Sequence, residues 1–127
     1  MSIRVLIAED EPHIIESLSF VLGREGFDVS AVLDGESVIE HLRSERPNVV
    51  ILDVMLPQLN GFEVLKRIKS DPSLASIPVI ILTAKGQAQD RRTAEELGAD
   101  RFVTKPYANA EVVGAVRDLM GVAPATE

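Results

Sequence analysis

Three acids, a threonine and a lysine stand directly after apolar runs in this chain. Glu9-Asp10 follows Ile3 to Ala8, Asp53 closes Val49-Val50-Ile51-Leu52, Thr83 follows Ile80-Ile81-Leu82, and Lys105 follows Arg101-Phe102-Val103-Thr104. A short run rich in β-branched residues is a strand buried on both faces, and an isolated carboxylate at its end is costly unless paired, metal-bound or placed at the strand's mouth. Carboxylates gathered within a few ångströms repel one another, and a divalent cation relieves that repulsion. The chain has no cysteine and two scattered histidines, His13 and His41, so the ligands are oxygens and the cation they favour is Mg²⁺. Mg²⁺ commonly binds one or two carboxylates and a phosphoryl oxygen, which points to phosphoryl transfer. Asp53 is the candidate nucleophile, forming an acyl phosphate, with Mg²⁺ between Asp53, Asp10 and a phosphoryl oxygen. Lys105 and the Thr83 hydroxyl take the remaining charge. An ionised carboxylate attacks directly, so no general base is needed.

The elements that must position these residues alternate along the chain. After the first strand, Pro12 suits a helix's first turn, and Ile14, Ile15, Leu18, Val21 and Leu22 recur at helical spacing until Gly26. Phe27 to Leu33 is a second strand, and Asp34 or Gly35 caps a helix that ends before Pro47. The third strand runs from about Asn48 to Asp53, and Phe62, Leu65 and Ile68 line a third helix closed by Asp71-Pro72. Ile77 to Leu82 is a fourth strand. Gly86 to Leu97 is a fourth helix with only Ala88, Ala94 and Leu97 as an apolar stripe, and is expected to be the loosest element. Arg101 to Thr104 and a helix through Met120 complete the alternation. Strands alternating with helices imply an α/β, doubly wound parallel sheet covered on both faces, with the site outside the carboxyl ends of its strands. Two strand orders are common for such sheets, and periodicity does not choose between them.

At 127 residues the chain is one domain, expected over residues 1–121 with a short tail at 122–127. The formal net charge of −7 argues against a direct nucleic-acid surface and for a partner with basic patches or a cation. Apolar runs are too short to span a bilayer, and Met1-Ser2 opens straight into the first strand without a signal peptide, so no membrane role and a cytoplasmic location are expected.

Taken together, Glu9-Asp10, Leu52-Asp53-Val54-Met55-Leu56-Pro57 with Asn60-Gly61, Leu82-Thr83-Ala84, Gly98-Ala99-Asp100 and Thr104-Lys105-Pro106-Tyr107 resemble the ordered motifs of the receiver domain of two-component response regulators. The resemblance runs from about Ile3 to Met120 and implies the flavodoxin-like, CheY-like fold with five strands in the order 2-1-3-4-5 and five helices. It implies that Asp53 is the phosphoacceptor, charged by a sensor histidine kinase or histidine phosphotransfer protein. Glu9 and Asp10 would hold Mg²⁺, Glu9 through water, with the Met55 backbone carbonyl as a further ligand. Thr83 and Phe102 would be the switch pair, and Lys105 would follow the phosphoryl group across a cis peptide to Pro106. A changed surface on the fourth helix, fifth strand and fifth helix would then meet a downstream protein partner.

Glu9-Asp10-Glu11, Arg91, Glu111 and Lys105-Pro106-Tyr107 look most like receivers that precede winged-helix DNA-binding domains, which implies a phosphorylation-dependent homodimer held by charge pairs. Arg101 stands where those receivers carry an acid and Ala115 where they carry arginine, so one expected pair is missing. The sequence stops shortly after the last helix, so either a stand-alone receiver or one cut from a longer protein is expected, with the stand-alone form favoured. Met55 and Lys85, each two residues past a rim residue, are expected to tune the lifetime of the acyl phosphate. The bland readings are that Glu9, Asp10 and Glu11 cap a helix, that Thr83 is an ordinary strand residue, and that Phe102 is core. Two other functions compete: a Mg²⁺-dependent phosphohydrolase or phosphomutase with an aspartyl-phosphate intermediate, and a constitutive binding module of receiver fold. The first usually carries a second acid where Met55 stands here.

Overall fold

The computed structural model describes residues 3–57, 59–83 and 88–122. Its elements are β1 (Arg4–Ala8), α1 (Pro12–Arg24), β2 (Asp28–Val32), α2 (Gly35–Glu45), β3 (Val49–Asp53), α3 (Gly61–Ser70), β4 (Val79–Thr83), α4 (Ala88–Glu96), β5 (Arg101–Thr104) and α5 (Asn109–Met120). All strands are parallel in the order β2-β1-β3-β4-β5, so the doubly wound α/β sheet is as expected. Among the described residues no helix is long and apolar enough to cross a membrane.

Every residue of β3 and β4 is buried, because helices cover both faces of the sheet. Alternation along the strands divides the core. Leu6, Ala8, Val50, Leu52, Val79 and Ile81 pack with Val38, Leu42, Val64, Leu65 and Ile68 of α2 and α3 and with Ala94 of α4. Val5, Ile7, Val49, Ile51, Ile80, Leu82 and Val103 face Leu18 and Leu22 of α1 and Val112 and Val116 of α5. β2, at the sheet edge, has no fully buried residue.

Helix starts follow local chemistry. The Glu11 side chain accepts from His13 N at 3.2 Å with Pro12 in the first turn, Asp34 Oδ1 accepts from Ser37 N at 2.9 Å, and Asn60 Oδ1 accepts from Glu63 N at 3.1 Å. Asp34, not Gly35, is therefore the cap of α2. β4 begins at Val79 and not Ile77, because Asp100 Oδ2 accepts from Val79 N at 2.8 Å while the Ile77 carbonyl serves Lys69 Nζ at 3.1 Å. Lys69 Nζ also donates to the Ala75 carbonyl and to Asp100 Oδ2, each at 3.1 Å, tying the end of α3 to the starts of β4 and β5. α4 buries Ala94 alone, Leu97 is half-buried and Ala88 exposed, in keeping with the weak stripe in its sequence. His13 is exposed, whereas His41 is half-buried on α2.

Candidate functional site

β3 ends in a charged residue, and β1 and β5 are each followed directly by one, all aimed at one layer. In the sheet register Ala8 pairs with Leu52, so Glu9 and Asp53, one residue on, keep the parity of Ile7 and Ile51 and lie towards α1 and α5. Lys105, two residues after Val103, shares it. Thr83 has the opposite parity: it pairs with Thr104 and stands on the face of Ile81, towards α3 and α4.

Asp53 is 2% and Glu9 1% exposed. Burying acids so deeply requires partners. Lys105 Nζ donates to Asp53 Oδ2 at 2.5 Å and lies 4.0 Å from Glu9 Oε1, and Met55 N donates to Asp53 Oδ1 at 2.8 Å. Glu9 Oε2 accepts from Asp10 N and Glu11 N, each at 3.1 Å. Its other oxygen, Oε1, is buried with no hydrogen-bond partner. Burial, and after it the neighbouring Asp53 carboxylate, pushes the Glu9 carboxyl up to about 8. Burial, followed by the charges of Glu9 and Asp53, pushes the Tyr107 phenol up to about 12.

The loops hold this arrangement closely. Lys105 N donates to the Thr83 carbonyl at 2.7 Å, which fixes the start of the lysine loop against the end of β4, and the Lys105–Pro106 peptide is cis. Gly61 N donates to the Val54 carbonyl at 2.9 Å, and a Cβ on Gly61 would lie 2.5 Å from the Asp53 carbonyl oxygen and 2.7 Å from Val54 Cα. Glycine is required there for α3 to start against the end of β3. His13, Ile14, Ser17, Lys105, Pro106, Tyr107 and Asn109 line an open recess of about 320 Å³ beside the lysine.

The structure thus brings together Glu9, Asp53 and Lys105, with Thr83 at the adjoining strand end. Asp10 is exposed beside them, and Met55 is 74% exposed with its backbone turned to Asp53. Phe102 is half-buried on the opposite sheet face, outside this cluster. Ala84 and Lys85, named from sequence, lie outside the described residues. Among those described, no three acidic or histidine side chains form a ready-made metal cage. An all-oxygen donor set with a buried, unpartnered carboxylate oxygen nevertheless fits a hard divalent cation. Sequence alone gives the Tyr107 phenol no role, and it places Asn60-Gly61 among the family motifs without marking Gly61 as a close-approach glycine.

A family model described as the response regulator receiver domain matches residues 5–117. The probable transcriptional regulatory protein TcrX of Mycobacterium tuberculosis is 41% identical over 118 residues, covering 93% of this chain and 50% of that protein. The chain spans about half the length of the curated relatives it matches. A putative response regulator from Chloroflexus aurantiacus has a similar structure, with a TM-score of 0.91 at 28% identity over 95% of this chain and 99% of that one. So does the receiver domain of the sensor histidine kinase PA1611 from Pseudomonas aeruginosa, with a TM-score of 0.82 at 26% identity over 95% and 99% of the two chains. That structure is described with a magnesium ion coordinated in its active-site cleft. The matched family model, the strand order and the rim formed by Glu9, Asp53, Thr83 and Lys105 agree: the chain belongs to the response regulator receiver domains of two-component systems.

Proposed function

We propose that this receiver is a phosphoacceptor in a His-Asp phosphorelay, with Asp53 as the acceptor. The observation that carries the reading is a buried aspartate whose Oδ2 is held 2.5 Å from Lys105 Nζ, beside the unpartnered Glu9 Oε1. An oxygen of Asp53 attacks the phosphorus of a phosphohistidine on a sensor kinase or phosphotransfer protein. The new P–O bond forms as the P–N bond breaks, and the imidazole leaves with the electron pair and takes up a proton. Lys105 and the Thr83 hydroxyl stabilise the transferred group's charge, and Met55 N keeps the carboxylate in register. Glu9, Asp10, Asp53 and the Met55 carbonyl would hold Mg²⁺, which supplies positive charge to the phosphoryl oxygens. Thr83 and Phe102 relay the change to the surface of α4, β5 and α5, where a protein partner reads it. The only chemistry is self-catalysed phosphoryl transfer and hydrolysis of the acyl phosphate.

The homodimer that the subfamily resemblance implies needs re-specification here, because Arg101 donates to Asp118 within the chain at 3.3 Å. The test of the function is intact-protein mass after incubation with Mg²⁺ and acetyl phosphate. The wild type is expected to gain one labile phosphoryl group and Asp53→Asn none; no gain in either protein overturns the reading.

A further inference from the structure

α4 buries one residue, Ala94, yet it is tied to β5 by a contact that the site does not use. The Arg91 guanidinium lies 5.2 Å from the centroid of the Phe102 ring, within the range of a cation–π attraction. Phe102 pairs with Ile81 and Thr104 with Thr83, so the ring and the Thr83 side chain belong to the same sheet face, two residues apart along neighbouring strands. The ring is half-buried, packed on the core of that face from beneath and by the arginine from outside. If Thr83 turns to the phosphoryl group, space opens on this face towards the rim, and a ring moving into it must leave the guanidinium.

We propose that Arg91 is a positioning residue that holds the Phe102 ring in its outer place under α4 and thereby restrains phosphoryl uptake at Asp53. The proposal rests on the phosphoacceptor reading above. The attraction is present only while the ring stays outside, so it biases the resting equilibrium towards the unreactive arrangement. A partly exposed contact of this kind shifts such an equilibrium about two- to fivefold. The arginine touches no reacting atom and acts through the ring alone.

The test compares the wild type, Arg91→Ala, Arg91→Lys, Phe102→Leu and the Arg91→Ala/Phe102→Leu double variant. One readout is the initial rate of phosphoryl uptake from acetyl phosphate with Mg²⁺, followed by intact mass. The other is the ring-carbon resonances of labelled phenylalanine before phosphorylation, with Phe102 identified by its loss in Phe102→Leu. Arg91→Ala is expected to raise the rate about two- to fivefold and to move the Phe102 resonances towards their positions in the phosphorylated wild type, with Arg91→Lys in between. In the Phe102→Leu background the same change is expected to have no effect. Equal rates with unmoved resonances overturn the restraint while leaving Asp53 as the acceptor. An equal acceleration in the Phe102→Leu background overturns it too, because the arginine would then not act through the ring. A wild type that takes up no phosphoryl group overturns the acceptor reading, and the control of uptake falls with it.

Discussion

Lys105 Nζ and Asp53 Oδ2 lie 2.5 Å apart although 52 residues separate them in sequence, and the pair stands at the ends of two strands that do not touch, β3 and β5. The lysine neutralises an aspartate that is 2% exposed, while its own side chain remains 30% exposed. Removing the cation leaves the buried Asp53 oxygen beside Glu9 without its ammonium partner. Lys105→Met is therefore expected to lower stability in urea by about 1–3 kcal/mol, the cost of stripping a charged partner from a buried acceptor. In the Asp53→Asn background the loss should be smaller, which a double-mutant cycle measures.

Tyr107 provides a pH reading of the same field. It is the chain's one tyrosine, and there is no tryptophan, so tyrosinate absorbance comes from a single residue. Its folded-state pKa, raised to about 12 by burial and then by Glu9 and Asp53, lies above the unfolded value near 10. The neutral phenol thus contributes stability that is fully present below about pH 10 and lost as pH rises through about 12. Native protein should titrate near 12 and urea-unfolded protein near 10, with Asp53→Asn bringing the native midpoint down.

Met55 is 74% exposed and donates its backbone N–H to Asp53 Oδ1, which places it at the mouth of the site. Once the protein is phosphorylated and the donor removed, Met55→Asn is expected to speed loss of the phosphoryl group about five- to tenfold, the effect of lowering one barrier by about 1–1.4 kcal/mol. An unchanged lifetime would show that the thioether does not control water's approach.

Gly61→Ala is expected to cost about 1–3 kcal/mol, because its methyl group would press on the backbone of Asp53 and Val54, and neither can yield without moving the acceptor. Thermal or urea unfolding checks the stability, and the phosphoryl uptake rate should fall with it. Glycine 114, with nothing within 4 Å of its Cβ position, is the control: Gly114→Ala should be neutral or stabilising.

Lys69→Ala should cost about 1–3 kcal/mol, since it strips one ammonium from two carbonyls and the Asp100 carboxylate. Arg101→Ala, which breaks an exposed pair with Asp118, should cost under about 1 kcal/mol. Urea melts of the two variants give the comparison.

How much of this was legible beforehand depends on how local each cause is. The β-branched run ending in Asp53, the proline opening α1 and the aspartate capping α2 act within a few residues, and the sequence shows them directly. The convergence of Glu9, Asp53 and Lys105 followed from placing strand ends on one rim, although spacing alone could not set the strand order. Lys69 was invisible because its acceptors, Ala75, Ile77 and Asp100, are brought to it only by the folded chain. That network also explains why β4 starts two residues later than its apolar run suggests. The Arg91–Phe102 stack was missed for the same reason: neither residue type announces the other.

Strand parity has one more consequence. Glu9, Asp53 and Lys105 lie on one side of the sheet, while Thr83 and Phe102 lie on the other. The sheet therefore sets the charged cluster and the Thr83–Phe102 pair in opposite layers that meet only at the rim, where the Lys105 amide donates to the Thr83 carbonyl. That one backbone hydrogen bond is the seam through which a shift of β5 on one layer is felt at the strand end of the other.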